Sequence, residues 1–210
     1  MTGALAAAAK RLAPLLVAVT AFEEMSRDVT RRQSALATSR GLAHALARQS
    51  RQEAMHAAVF RGALRLTGLR AAPPPRLAEA LAQCRARLED DLDRGDLACS
   101  MLGLHCVLEG LGGVALQPPA GDLGRLGDHL VPLRALILKQ ELAHQHLGEL
   151  WVERLAGNRL ALQAACSAYV EIAESVVDAG LAAFGGYAMD RALYLAGSRE
   201  HLGRLRASFT

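Results

Sequence analysis

Three observations predict an all-α fold, a single helical domain over residues 1–210. The composition is 51% apolar yet only 4% aromatic, and Ala and Leu dominate it. The β-branched and aromatic residues that favour strands are correspondingly thin. Apolar residues recur at three- and four-residue intervals over long stretches, and clusters of proline and glycine separate those stretches. A chain of 210 residues is long enough to bury one substantial core.

The first helix is expected over residues 3–37. Leu5, Leu12, Leu16 and Val19 make one apolar stripe, and Phe22, Met25, Val29 and Leu36 make a second, rotated from it. Glu23 lies at the edge of both stripes, whereas Glu24 points away. Thr38-Ser39-Arg40-Gly41 reads as a turn with a Ser or Thr cap for the next helix. That helix runs to residue 67 and ends at Gly68, which sets Glu53 level with Glu23 across an antiparallel pair.

Pro73-Pro74-Pro75 is the clearest break, since proline removes donors and blocks helix. A polar helix over residues 76–92 follows, then the turn Asp93-Arg94-Gly95-Asp96. The next helix, residues 96–116, carries Glu109. Gly112 and Gly113 after it leave room for close approach, and Pro118-Pro119-Ala-Gly121 ends it. A helix starting between residues 122 and 128 runs to residue 155, with Pro132 tolerated in its first turn. A helix over residues 159–184 turns Val170, Ala173, Val177, Leu181 and Phe184 inward. Gly185-Gly186 breaks it, and a tail helix spans residues 189–205.

The net charge of +3 is mild, and Lys occurs only at Lys10 and Lys139. Arg40, Arg48, Arg51, Arg61, Arg65 and Arg70 spread as on a solvated helix face. Nucleic-acid binding would call for a denser basic stripe with stacking aromatics, so no nucleic-acid partner is expected. Lys10-Arg11 before an apolar run has a trace of a secretory signal, but the run is helically patterned and flows into Glu23. No segment reads as long and apolar enough to span a membrane. Cys84, Cys99, Cys106 and Cys166 have no C-x-x-C spacing; they read as reduced, buried small hydrophobes of a cytoplasmic protein.

Chemistry concentrates in two phrases, Glu53-Ala-Met-His56 and Glu141-Leu-Ala-His144, both inside helical runs. Residues three apart on a helix share a face, so each phrase offers a carboxylate and an imidazole to one inward point. Glu23 precedes the first phrase and Glu109 the second. Glu109 sits among Val107, Leu108, Leu111 and Gly112, where an unpartnered carboxylate would be costly. A plain bundle with exposed i,i+3 pairs is the alternative. Carboxylates and imidazoles together suit iron or manganese.

In this order of ligands (Glu, Glu-x-x-His, Glu, Glu-x-x-His) the chain resembles the ferritin-like di-iron carboxylate superfamily. The resemblance implies a ferritin-like four-helix bundle with a crossover helix and extra C-terminal helices. It implies two Fe ions, with Mn or a mixed Mn/Fe pair as alternatives. Glu23 and His56 would hold one metal, Glu109 and His144 the other, with Glu53 and Glu141 bridging. Four carboxylates nearly neutralise two divalent ions, which makes so many buried acids tolerable. Glu23 is chosen over Glu24 because rubrerythrins and bacterioferritins usually carry a small residue three positions after the ligand, and Ser26 supplies it. Glu24 stays open as the alternative.

His105, one turn before Glu109, is expected beside the centre as a supporting group or further ligand, or else as a core histidine. Glu174, within the apolar arc of residues 159–184, is expected to approach the metals or to pair with a buried Arg. His44, His129, His146 and His201 are expected at solvent or helix ends, and Tyr169, Tyr187 and Tyr194 in packing roles.

The ligand spacing is similar to small di-iron oxygenases such as aldehyde-deformylating oxygenase. The resemblance therefore implies a monooxygenase or oxidase acting on dioxygen and a small organic substrate, as a monomer or homodimer. Electrons would come from a separate donor or from the substrate. A ferroxidase or iron-storage protein is the alternative, although the chain lacks the acidic balance of a storage shell, an obvious haem-ligating Met and a cysteine-ligated domain. A binding bundle, including one acting on transfer RNA, is a third reading.

Overall fold

The computed structural model describes residues 3–115, 131–184 and 191–209. The breaks expected at Pro118-Pro119-Ala-Gly121 and Gly185-Gly186, His129 and Tyr187, and the side chains of Leu5 and Leu12 lie outside the described residues. All described elements are helical: α1 (Gly3–Leu36), α2 (Arg40–Thr67), α3 (Pro75–Asp93), the composite rod α4, α5 (Val131–Leu155), α6 (Arg159–Phe184) and α7 (Arg191–Phe209). Rod α4 is α-helical over Leu97–Met101, π-helical over Leu102–Leu108 and α-helical again over Glu109–Ala115.

Local chemistry sets these boundaries. The Ser39 hydroxyl caps α2 by accepting from the Leu42 amide at 3.5 Å. Gly68 ends α2 at φ 66°, and its amide donates to the Arg65 carbonyl; a side chain there would meet the left-handed penalty that glycine escapes. Pro75 opens α3, where its missing N–H costs nothing. The Asp96 carboxylate caps α4 by accepting from the Cys99 amide at 3.0 Å.

Helices α1 and α2 pack along their length and are joined by residues 37–39 alone, so they run antiparallel. Rod α4 packs against α5. Helix α3 lies across α6, α1 and the start of α4, while α7 closes against α6 and the end of α4. The centre of the molecule is α4, buried at every residue from Leu97 to Leu111. Met25 and Val29 of α1, Leu42 and Leu46 of α2, Leu88 of α3 and Tyr169 of α6 surround it. Burial at this density is the main favourable term in the fold.

Two expectations are corrected. Leu36 is 40% exposed, because it ends α1 where the chain turns away from the core. Contrary to the membrane expectation, residues 97–114 and 159–184 are long and apolar enough to cross a membrane by length and composition. The first stretch is mostly buried inside the bundle. The second turns Glu171, Glu174 and Asp178 outward.

Candidate metal centre

Four rods converge on one set of acids and imidazoles: Glu23 from α1, Glu53 and His56 from α2, Glu109 from α4, and Glu141 and His144 from α5. All six are buried. Ligand atoms of Glu23, Glu53, His56 and Glu141 lie within 4.8 Å of one another, as do those of Glu53, Glu109 and His144. Glu53 belongs to both groups, whereas Glu141 lies with the first. Met55 and Leu142, inside the two Glu-x-x-His phrases, are exposed, which is the helical facing that the spacing predicts.

The histidine rings are oriented alike. His56 Nδ1 faces Glu53 Oε2 at 3.1 Å, Glu23 Oε2 at 3.3 Å and Glu141 Oε1 at 3.5 Å. His144 Nδ1 faces Glu53 Oε1 at 3.0 Å and Glu109 Oε2 at 3.5 Å. On the outer side, His56 Nε2 meets Gln140 Oε1 at 2.8 Å and His144 Nε2 meets Gln52 Oε1 at 2.9 Å. Gln49, one turn before Glu53, donates to Glu53 Oε1 at 3.2 Å and to Glu109 Oε1 at 2.7 Å.

Burial and like charge divide the carboxyls. Burial pushes Glu53 up, but the His144 and His56 imidazoles beside it outweigh that and hold it well below the usual carboxylate range. Burial raises Glu23 to about 7 despite its bond to His56. Burial, then the Glu53 and Glu23 charges, raise Glu141 to about 9. Glu109 rises well above its ordinary value for the same reasons, burial first and Glu53 next. Burial works against a charged His56, yet hydrogen bonds to Glu23 and Glu53 lift it to about 11. Protons thus offset the negative charge here.

The donor set fits a pair of divalent cations. Glu109 Oε2 and Glu141 Oε1 are buried with no hydrogen-bond partner, an expensive condition that a cation relieves. Their oxygens with two imidazole nitrogens make a mixed nitrogen and oxygen donor set that could hold metal ions.

The other sequence-derived candidates separate. Glu24 is half-buried and ion-paired with Arg61, outside both groups. His105 is fully buried, with Nε2 2.8 Å from Gln33 Oε1 and Nδ1 3.7 Å from Glu109 Oε2. Burial, then the neighbouring His144, lower it to about 3, so it stays neutral. The expectation that Glu174 approaches the metals is corrected: its carboxylate is exposed and pairs with Arg206 at 2.9 Å. That arginine, on α7, is exposed as well. His201 is also corrected. It is buried, and Nε2 donates to the Cys106 carbonyl at 2.8 Å. His44 and His146 are exposed as expected. Tyr169 and Tyr194 are buried, and all four cysteines are buried and free.

An apolar cavity of about 150 Å³ adjoins the centre. Phe22, Leu108, Leu111, Gly112, Val176 and Phe184 are among the residues that line it. Gly112 also lies beside Glu141, whose Oε2 is 3.6 Å from where a Cβ would stand. Gly113 has open space instead. A second, more polar cleft of about 140 Å³ reaches His144, Gln49 and Gln52 between α2 and α5.

The sequence reading missed the glutamines Gln49, Gln52 and Gln140. A signal for two of them existed: each Glu-x-x-His phrase is preceded directly by Gln, giving Gln52-Glu53 and Gln140-Glu141. Comparison with known family models finds no match, and comparison with curated proteins finds no match either.

Proposed function

We propose that the chain is a ferritin-like di-iron carboxylate protein, a non-haem oxygenase or oxidase that oxidises a small organic substrate with dioxygen. The observation that carries this reading is the pair of buried ligand groups sharing Glu53. Glu23, His56 and Glu141 would hold one metal and Glu109 and His144 the other, with Glu53 common to both groups. Iron suits these donors, and manganese or a mixed pair would use the same ligands. When bound, such a pair supplies electrons to dioxygen and acts as a Lewis acid.

The protein's own part is placement and exclusion of water. Gln49 ties the Glu53 and Glu109 carboxylates together. His105 holds a neutral ring beside Glu109. The apolar cavity, bounded towards the ligands by Gly112, admits a compact apolar molecule. Electrons come from a separate donor or from the substrate, and the working form is a monomer or homodimer.

Anaerobic titration with Fe(II) is expected to load two irons per chain, one for each ligand group. Admission of air should oxidise both, followed by Mössbauer and optical spectroscopy. The double variant Glu53→Ala/His144→Ala should keep its helical circular dichroism and lose iron binding. Full iron stoichiometry in that variant would refute the ligand assignment. A large spherical shell on sizing would turn the reading towards iron storage.

A further inference from the structure

The two motifs are linked crosswise. Gln140 stands next to Glu141 on α5, yet its amide oxygen contacts His56 Nε2 of α2 at 2.8 Å. Gln52 stands next to Glu53 on α2 and contacts His144 Nε2 of α5 at 2.9 Å. One residue step on a helix turns a side chain by roughly 100°. The residue before each inward glutamate therefore faces the seam between helices, where it meets the other motif's histidine. The exchange is reciprocal, as if a local two-fold axis related the two phrases.

We infer that Gln52 and Gln140 are positioning residues, each fixing the histidine of the opposite motif so that its Nδ1 lone pair faces the metals. This rests on the dinuclear reading above. An amide oxygen can only accept, so the Nε2 it contacts must carry the proton, leaving Nδ1 to bind metal. Outer partners of this kind orient metal-bound imidazoles and typically govern metal affinity by about tenfold to a hundredfold. The choice of an amide over a carboxylate also follows from charge. Glu23, Glu53, Glu109 and Glu141 already balance two dications, and a further acid at either position would leave buried excess negative charge. Because the bonds cross the α2–α5 seam, each histidine depends on the helix that carries the other histidine.

Two measurements test this. In metal-free wild type, ¹⁵N-resolved NMR should show slowly exchanging, downfield Nε2–H protons for both His56 and His144. Gln140→Met, of near-equal length, should remove the His56 signal, and Gln52→Met the His144 signal. With Zn(II) as the probe metal, each variant should bind one of its two ions about tenfold to a hundredfold more weakly, with unchanged helical circular dichroism. Absence of the wild-type signals overturns the inference even where a variant fails to fold. Loss of the signal from the same motif's histidine overturns the crosswise assignment. Crosswise loss without any change in Zn(II) affinity overturns the positioning role. Failure of wild type to bind metal would instead sink the dinuclear reading, so the two failures are distinguishable.

Discussion

Glu53 governs the charge of its surroundings because its oxygens face both imidazoles while the other acids crowd round it. It stays ionised, held low by His144 and His56, and its charge helps to keep Glu109 and Glu141 protonated. His56, raised to about 11, carries a proton at neutral pH. Metal entry must therefore displace protons, since ligands bind metal deprotonated. At pH 7 loading should release one proton each from His56 and Glu141, with further contributions from Glu109, which burial raises, and from Glu23 at about 7. Calorimetric titration in buffers of different ionisation enthalpy measures that number. Release of one proton or fewer would mean that the carboxyls are already ionised. At this scale the pairs Glu53/His56 and Glu141/His144 were legible because helical spacing brings i and i+3 to one face; Glu23 and Glu109 were placed beside them by the resemblance, not by spacing. The glutamines were not, because a single Gln before Glu is unremarkable until its partner on another helix is known.

Rod α4 shows what helix boundaries conceal. Its start was legible, in the turn Asp93-Arg94-Gly95-Asp96 and the run of apolar residues after it, but the π-helical turn over Leu102–Leu108 was not. Nothing in Leu-Gly-Leu-His-Cys-Val-Leu marks an extra residue per turn. Glu109 donates its amide to the Leu104 carbonyl, five residues back, and His201 of α7 donates to the Cys106 carbonyl. The π turn brings His105 and Glu109 to the centre together, consistent with the tendency of such turns to sit at functional sites. His201 was misread because the tail helix showed no apolar stripe strong enough to mark its buried face. Glu174 was misread for the converse reason: it borders the apolar arc of α6 but turns out to Arg206. Close packing of α4 on α5 supplies the prediction at this scale. A Cβ on Gly148 would stand 2.6 Å from His105 Cβ and 3.0 Å from Cys106 Sγ. Gly148→Ala should therefore push the rods apart, cost about 1–3 kcal/mol of stability, and weaken binding at the Glu109–His144 side first. Denaturant melts and Fe(II) stoichiometry check it; an undisturbed melt and full loading would show that the two rods are not fixed at this spacing.

Across the whole molecule, the buried centre makes stability depend on pH in a direction that metal should cancel. Glu141 has a folded value of about 9 against an ordinary 4.5, and His56 about 11 against 6.5. Both are raised, so the folded state holds more protons than the unfolded one between those limits. The stability linked to each group is full below its ordinary value and is lost as pH rises through its folded value. Glu23, raised to about 7, acts in the same sense. Glu53 and His105 are depressed and act oppositely, Glu53 only as pH falls below the ordinary carboxylate range and His105 mainly below its ordinary 6.5. Between pH 6 and pH 9 the raised groups therefore dominate, and the metal-free protein should melt at progressively lower temperature. Cations bound at the proposed centre would replace the protons and, binding only the folded state, would stabilise it by about 2.7 kcal/mol at a free concentration one hundred times Kd. Thermal melts at both pH values, with chelator and with anaerobic Fe(II), separate the cases. The expected result is a falling midpoint with chelator and a flatter, higher one with metal. A metal-free midpoint that rises from pH 6 to pH 9 would mean that the buried acids are already charged, and that the fold tolerates them without protons or metal.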